Sequence, residues 1–230
     1  MKVVALGDSV TAGSRCDCAA FPQLYATGLE SRYGVPIQLT NDGRGGQTSD
    51  AVLADLDSTS RAEADVTAAD VVLVTIGAND FSQVHEAIVT NTCGLADRLS
   101  CARQRLLDLG RKLAAILGRI HDLRAGQSNA VLVTGYWNVF EDGDVARSDF
   151  SRAGQDASDQ LTQAVNLEIA TAASEADATY IDLYRPFKGA DGSQDPTHLL
   201  ADDGDHPNAP GHRVIAQALL AAPLSMWPAR

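Results

Sequence analysis

Aromatic residues make up only 5% of this 230-residue chain, and its 18 Lys and Arg face 30 Asp and Glu. A formal charge of −12 at pH 7 argues against nucleic acid or an anionic membrane as main partner, since both bind through clustered cations. No run of about 18 apolar residues occurs, so no membrane span is expected. No apolar leader core with a cleavage site precedes the first strand-like segment. The chain therefore reads as an intracellular protein or as a mature domain lacking its leader.

Several motifs are also missing. Gly43-Arg44-Gly45-Gly46 matches neither the dinucleotide fingerprint nor the lysine-bearing P-loop. "GDSVTAG" fails the nucleophile-elbow pattern, because Thr11 stands where a glycine belongs. The Asp-rich stretch 191–205 lacks EF-hand spacing, so calcium is not expected there. Cysteines number four: Cys16, Cys18, Cys93 and Cys101. An even count suggests pairing, with three connectivities open. Cys93 and Cys101 bracket one short loop that can close locally. Cys16-Asp17-Cys18 reads as too tight for an easy bridge. Zinc is the rival use, but no Cys-x-x-Cys pair or matching His pair is present. Paired cysteines favour an exported protein, which is the expected location, with the cytoplasm as the alternative.

What the chain does have is a hydrophobic content of 45%, enough for one α/β domain over residues 1–230. Short apolar runs at 2–6, 36–40, 71–76, 130–135 and 178–183 read as strands, three of them continuous enough to be buried on both faces. Helical periodicity occupies 20–33, 102–125 (with Gly126 as its cap), 149–174, and a final segment from Pro210 to before Pro223. Alternating strands and helices predict a parallel sheet covered on both faces.

In such sheets ligands bind beyond the carboxyl ends of the strands. There stand Ser9 in "GDS", Gly45 and Gly46 in "NDGRGGQTS", and Asn79 in "GAND"; Asp203 and His206 follow in "DDGDHPN", before the last helix. These are parts for acyl transfer. A serine hydroxyl needs a base to take its proton, and His206 can serve. An acceptor on the other ring nitrogen fixes the tautomer. Asp203 can provide it across Gly204. Asp205, the sequence neighbour of His206, is expected to diverge from the ring, and Asp202 would need a helical turn that Gly204 and Pro207 disfavour. Backbone N–H groups of Ser9 and Gly46 and the Asn79 amide can bind an oxyanion.

These blocks resemble the SGNH or GDSL-type serine hydrolases: "GDSV", "GRGG", "GAND" and "DGDHP" fall in the family's order from Gly7 to Pro207. The resemblance implies a three-layer, flavodoxin-like α/β/α sandwich around a five-stranded parallel sheet. It implies Ser9 as nucleophile, His206 as base, Asp203 as acid, and Ser9, Gly46 and Asn79 as the oxyanion hole. Val10 replaces the family's usual leucine. Choosing Gly46 over Gly45 follows from aligning "GGQTS".

Taken singly, each residue has a plainer reading. Ser9 alone suits a helix cap, Asn79 a turn, and Asp80 is assigned to holding that turn. His198 lies downstream of an acid in "DPTH" but is not the expected base. His85, His121 and His212 fall in helical patterns and read as structural or exposed. Aromatics in 135–140, 184–187 and 81–101 are read as walls for an apolar acyl or aryl group, or as loop anchors on the core. The expected activity is lipase- or esterase-type hydrolysis of small-molecule esters by a monomer, without metal or cofactor. The alternatives are a carbohydrate acetylesterase and a catalytically silent flavodoxin-like binding module.

Overall fold

The structure is a computed structural model describing residues 1–57, 59–93, 97–124 and 130–224. Five strands form its centre: β1 Lys2–Gly7, β2 Gln38–Asn41, β3 Val71–Thr75, β4 Ala130–Thr134 and β5 Thr179–Ile181. All neighbours pair in parallel in the order β2-β1-β3-β4-β5, the flavodoxin-like order. β3 and β4 are buried along their whole length, as their unbroken Val and Leu runs require of strands covered on both faces.

The helices are α1 Ser9–Ala12, α2 Phe21–Tyr33, α3 Ser49–Asp57, α4 Arg61–Thr67, α5 Ser82–Val89, α6 Arg103–Leu123, α7 Gly143–Asp149, α8 Arg152–Glu175, α9 Tyr184–Lys188 and α10 Ala209–Ala221. α2 packs on α10, while α6 packs on both α3 and α8, and the sheet lies between these two helical layers. α6 buries Leu109, Leu113, Ile116, Leu117 and Ile120, one stripe at helical spacing. Its expected cap, Gly126, lies outside the described residues. The helix expected over 149–174 is α8, unbroken from Arg152 to Glu175. It starts three residues later than expected because the separate α7 ends at Asp149, and Ser151 opens α8 by accepting from the Gly154 N–H at 3.2 Å. β1 pairs with β2 on one side and β3 on the other. The crevice of such a sheet therefore opens beyond the carboxyl ends of β1 and β3.

Both cysteine pairs are bridged. Cys93–Cys101 is the pair the sequence suggested, with a Cα separation of 5.5 Å. Cys16–Cys18 corrects the expectation of a pair too tight to bridge. The chain bends at Asp17, the residue between the two cysteines. An extended chain would hold the two Cα atoms about 6.6 Å apart; the bend brings them to 5.1 Å, an ordinary disulfide separation. A non-reduced proteolytic digest is expected to yield both linked pairs. Closing the 93–101 loop is worth about 2.5 kcal/mol in the chain-entropy account. Alkylation of all four cysteines as free thiols would contradict this pairing.

Candidate active site

The first strand ends where it meets its neighbour most closely. A Cβ at Gly7, which sits at φ 145°, would lie 2.1 Å from Thr75 O, so only glycine fits. Asp8 follows, its N–H donating to Thr75 O at 3.1 Å. Its carboxylate accepts from the Val10 N–H at 2.9 Å and from the Tyr136 hydroxyl at 2.6 Å. Burial pushes this carboxyl up to about 6, although the Tyr136 and Val10 donors pull the other way. Asp8 thus caps α1, which leaves Ser9 uncommitted as a cap, at the first position of a helix and half-buried. The plainer reading of Ser9 as the cap gives way to Asp8. Val10 is 1% exposed, a core residue, which suits its apolar exchange for leucine.

The segment after β2 lies against this turn. Asn41 donates its side-chain amide to Thr11 O at 2.8 Å, and Arg44 N–H donates to Gly7 O at 2.9 Å. A Cβ on Gly43 would meet the Thr11 side chain at 2.6 Å. Residues 44–47 then form a turn closed by Gln47 N–H donating to Arg44 O at 3.2 Å. Its third residue, Gly46, has φ 75° with open space where a Cβ would point. Positive φ at that position marks a type II turn and selects glycine. Asn79 reaches the same turn, donating its side-chain amide to Gln47 O at 3.0 Å. An amide has a second N–H to offer. Asp80, expected to hold its own turn, instead ties the two segments together by accepting from Ser49 N–H at 3.0 Å and the Ser49 hydroxyl at 2.5 Å.

Opposite these, the chain between the 3-10 turn Thr197–Leu199 and α10 folds back on itself. Leu200 bridges Pro207, Ala201 N–H donates to His206 O at 2.8 Å, and Asp142 N–H donates to Gly204 O at 2.8 Å. Gly204 sits at φ 74°, the flexible point the sequence suggested. Asp203 Oδ1 accepts from His206 N–H at 3.2 Å, and Oδ2 accepts from His206 Nδ1 at 2.9 Å. Arg15 Nε, on the loop after α1, lies 3.1 Å from the same Oδ2; this exposed ion pair ties Ser9's loop to the His206 loop. Asp205 corrects the expectation that it diverges: its Oδ1 is 2.6 Å from His206 Nδ1. Bends at 204–206 turn adjacent side chains to the same side, which an extended chain does not do. Burial alone would lower the ring, but Asp205 and then Asp203 outweigh it and raise His206 to about 9. His198 is exposed, and the acid upstream of it, Asp195, is bound to Thr197 and Arg147 instead.

The GDSL-like lipase/acylhydrolase family matches residues 5–214. The chain belongs to that family. Among solved structures it is similar to a lipase from a goat rumen metagenome, at 22% identity and TM-score 0.76, covering 97% of this chain and 98% of that one. It is also similar to an extracellular lipase from Streptomyces rimosus, at 23% identity and TM-score 0.66, covering 97% and 100%. A third is a catalytic mutant of an acetylxylan esterase from Geobacillus stearothermophilus, at 18% identity and TM-score 0.68, covering 95% and 92%. No curated protein matches. At these identities the structures speak to the fold, which is the three-layer sandwich expected. The family makes this GDSL hydrolase a carboxylic ester hydrolase.

Two further expectations meet the geometry of the GDSL hydrolase. Tyr136, Trp137, Phe187 and Phe81 are fully buried, and the rings of Trp137 and Phe187 stack at 4.3 Å. These aromatics anchor loops on the core; they do not line an acyl pocket. Sequence reasoning also missed Tyr136 as the partner of Asp8, because nothing in local spacing connects positions 128 residues apart. As to metals, Cys16, Cys18 and His212 offer ligand atoms within 4.8 Å of one another. Their sulfurs are bridged, and His212 Nδ1 accepts from Phe21 N–H at 3.2 Å. The ring hydrogen is then on Nε2, with no lone pair left there for a metal. The second such group is Asp203, Asp205 and His206, the two carboxylates and the ring already described.

Proposed function

We propose that this GDSL hydrolase cleaves esters through an acyl-enzyme on Ser9, with His206 as general base and Asp203 as the acid that orients it. The observation that carries the reading is the Asp203 contact on His206 Nδ1 at 2.9 Å. With Nδ1 as donor, the lone pair falls on Nε2, the nitrogen free to take the Ser9 proton. Backbone N–H groups of Ser9 and Gly46 and the second N–H of Asn79 are the oxyanion donors in this account. Ser9 N–H belongs to the first turn of a helix, where donors have no intrahelical acceptor. One domain carries all these segments and needs no metal: saturating EDTA is expected to leave the initial rate unchanged, and loss of activity restored by a divalent cation would contradict that.

Asn79→Ala is expected to lower kcat about 100-fold or more with KM little changed, as removal of an oxyanion donor does. Loss of affinity at constant kcat would make Asn79 a pocket residue only.

For the substrate, the reading is a small-molecule ester with a short acyl group, because Phe81, Tyr136, Trp137 and Phe187, four of the aromatics that would have walled an acyl channel, are core residues. No helix among the described residues is long and apolar enough to cross a membrane. A second reading, an acetylated carbohydrate, is supported by the likeness in fold to the acetylxylan esterase; the cavity of about 340 Å³ beside the 41–47 loop is lined by none of Ser9, Gly46, Asn79, Asp203 and His206 and does not bear on the choice. A chain-length series of p-nitrophenyl esters, run beside an acetylated xylooligosaccharide, separates the two. The account expects kcat/KM to fall as the acyl chain lengthens; a maximum at long acyl chains would contradict it.

A further inference from the structure

We propose that Asp205 is a second carboxylate on His206 Nδ1, a positioning residue that sets the pH above which the ester hydrolase turns over. The inference rests on His206 being the base. Two carboxylate oxygens face one ring nitrogen, Asp203 Oδ2 at 2.9 Å and Asp205 Oδ1 at 2.6 Å. Nδ1 has one hydrogen to give, and the aligned hydrogen bond goes to Asp203. Asp205 Oδ1 is buried with no hydrogen-bond partner. A buried anionic oxygen without a donor is costly, and the compensation within reach is positive charge on the ring beside it. Asp203 differs: besides the Nδ1 hydrogen it has the His206 N–H and the Arg15 guanidinium. The excess negative charge at the ring therefore belongs mainly to Asp205, and it favours the imidazolium.

The titratable groups around the pair push in consistent directions. Asp203 lies below its ordinary range: burial raises it, but the hydrogen bonds it accepts from the His206 N–H and ring outweigh that. Asp205 lies above its range, chiefly through burial. Asp8 at the end of β1 (about 6) adds negative charge toward the ring, and Glu141 after β4 (about 7) adds it toward Asp205. His212 on α10 is pushed down to about 4 by burial, then by the His206 charge, and is neutral where His206 titrates. At the alkaline end of the range every carboxylate here is ionised, and removing one of them acts directly on the ring.

The sign follows from the role of a base. Protonated His206 cannot take the serine proton, so kcat/KM rises with pH through the ring's pKa in the free enzyme. That limb is expected near 9. Asp205→Asn keeps the shape and removes the charge; an opposite charge this close shifts a pKa by about 1 to 3 units, so the limb should move down by that much. At pH 7 the variant should then be about 10-fold or more faster than wild type. Glu141→Gln should move the limb less.

The test pairs two measurements on the full chain. One is the pH profile of kcat/KM for wild type, Asp205→Asn and, should Asn not fold, Asp205→Ser. The other is NMR titration of the His206 ring in the same variants on a Ser9→Ala background, which needs no turnover. Both midpoints moving down supports the proposal. An unmoved ring midpoint overturns it, whatever the activity. A moved ring midpoint with an unmoved kinetic limb also overturns it, and shows that His206 is not the base.

Discussion

Ser9→Ala is expected to lower kcat by about 10⁵- to 10⁶-fold, the scale of losing the serine in a serine hydrolase that works through a triad. Its fold should survive. The cap of α1 is the Asp8 carboxylate, held by Val10 N–H and the Tyr136 hydroxyl, so the hydroxyl of Ser9 is not what starts the helix. Nor is Ser9 a packing residue: its neighbours Val10 and Thr11 are buried, while Ser9 is half-exposed. An unchanged melting curve beside abolished turnover of a p-nitrophenyl ester is the predicted pair of results. Turnover close to wild type would remove Ser9 as nucleophile; lost turnover with a collapsed melting curve would mean the turn had been misjudged.

The second large effect falls on the acid. Asp203→Asn is expected to cost up to about 10,000-fold in kcat/KM, the loss seen when the orienting acid of a chymotrypsin-type triad is neutralised. Asn offers an amide N–H as readily as a carbonyl, and the Nδ1 hydrogen that fixes the tautomer loses its anionic partner. The variant also releases Arg15 from Asp203 Oδ2; that ion pair is 60% exposed on the arginine side and contributes little on its own. Asp205→Asn should be far less damaging at high pH, where its effect is on the position of the limb. Asp202 has no part in the contact, and Asp202→Asn should behave as wild type. Measuring the three variants at one alkaline pH decides the order. If Asp205→Asn is the most damaged, Asp205 is the orienting acid and Asp203 the accessory one.

Much of the architecture was legible because it rests on apolar runs. β3 and β4 read directly from "VVLVT" and "AVLVT", since strands buried on both faces have no polar residues to blur them. The edge strands were placed less well: β2 was expected at 36–40 and lies at Gln38–Asn41, and β5 is only Thr179–Ile181. Each edge strand pairs on one side only, and its burial pattern is mixed. The short helices α3 and α4 were not read at all, and of α5 only the helical setting of His85 was. α4 buries only Val66, and α3 only Ser49, Val52 and Leu56, too little periodicity to stand out from polar surroundings.

For the site, position relative to strand ends was the informative signal. Ser9, Gly46 and Asn79 each follow a strand, and parallel pairing puts those ends on one edge. The Asp203–His206 contact follows from loop arithmetic around Gly204. What the sequence did not reveal depended on backbone bends. The Cys16–Cys18 bridge needs a bend at Asp17, which no local pattern announces. The approach of Asp205 to His206 needs bends at 204–206. The aromatics stayed open between pocket walls and core anchors because composition does not separate the two; burial does.

The most direct test of the central claim is where a fluorophosphonate probe attaches. Intact-mass and peptide-mapping mass spectrometry after labelling should find one adduct, on the peptide that carries Ser9, absent in Ser9→Ala and formed faster as pH rises toward 9. An adduct on any other serine, or none from an active preparation, would contradict the acyl-enzyme account.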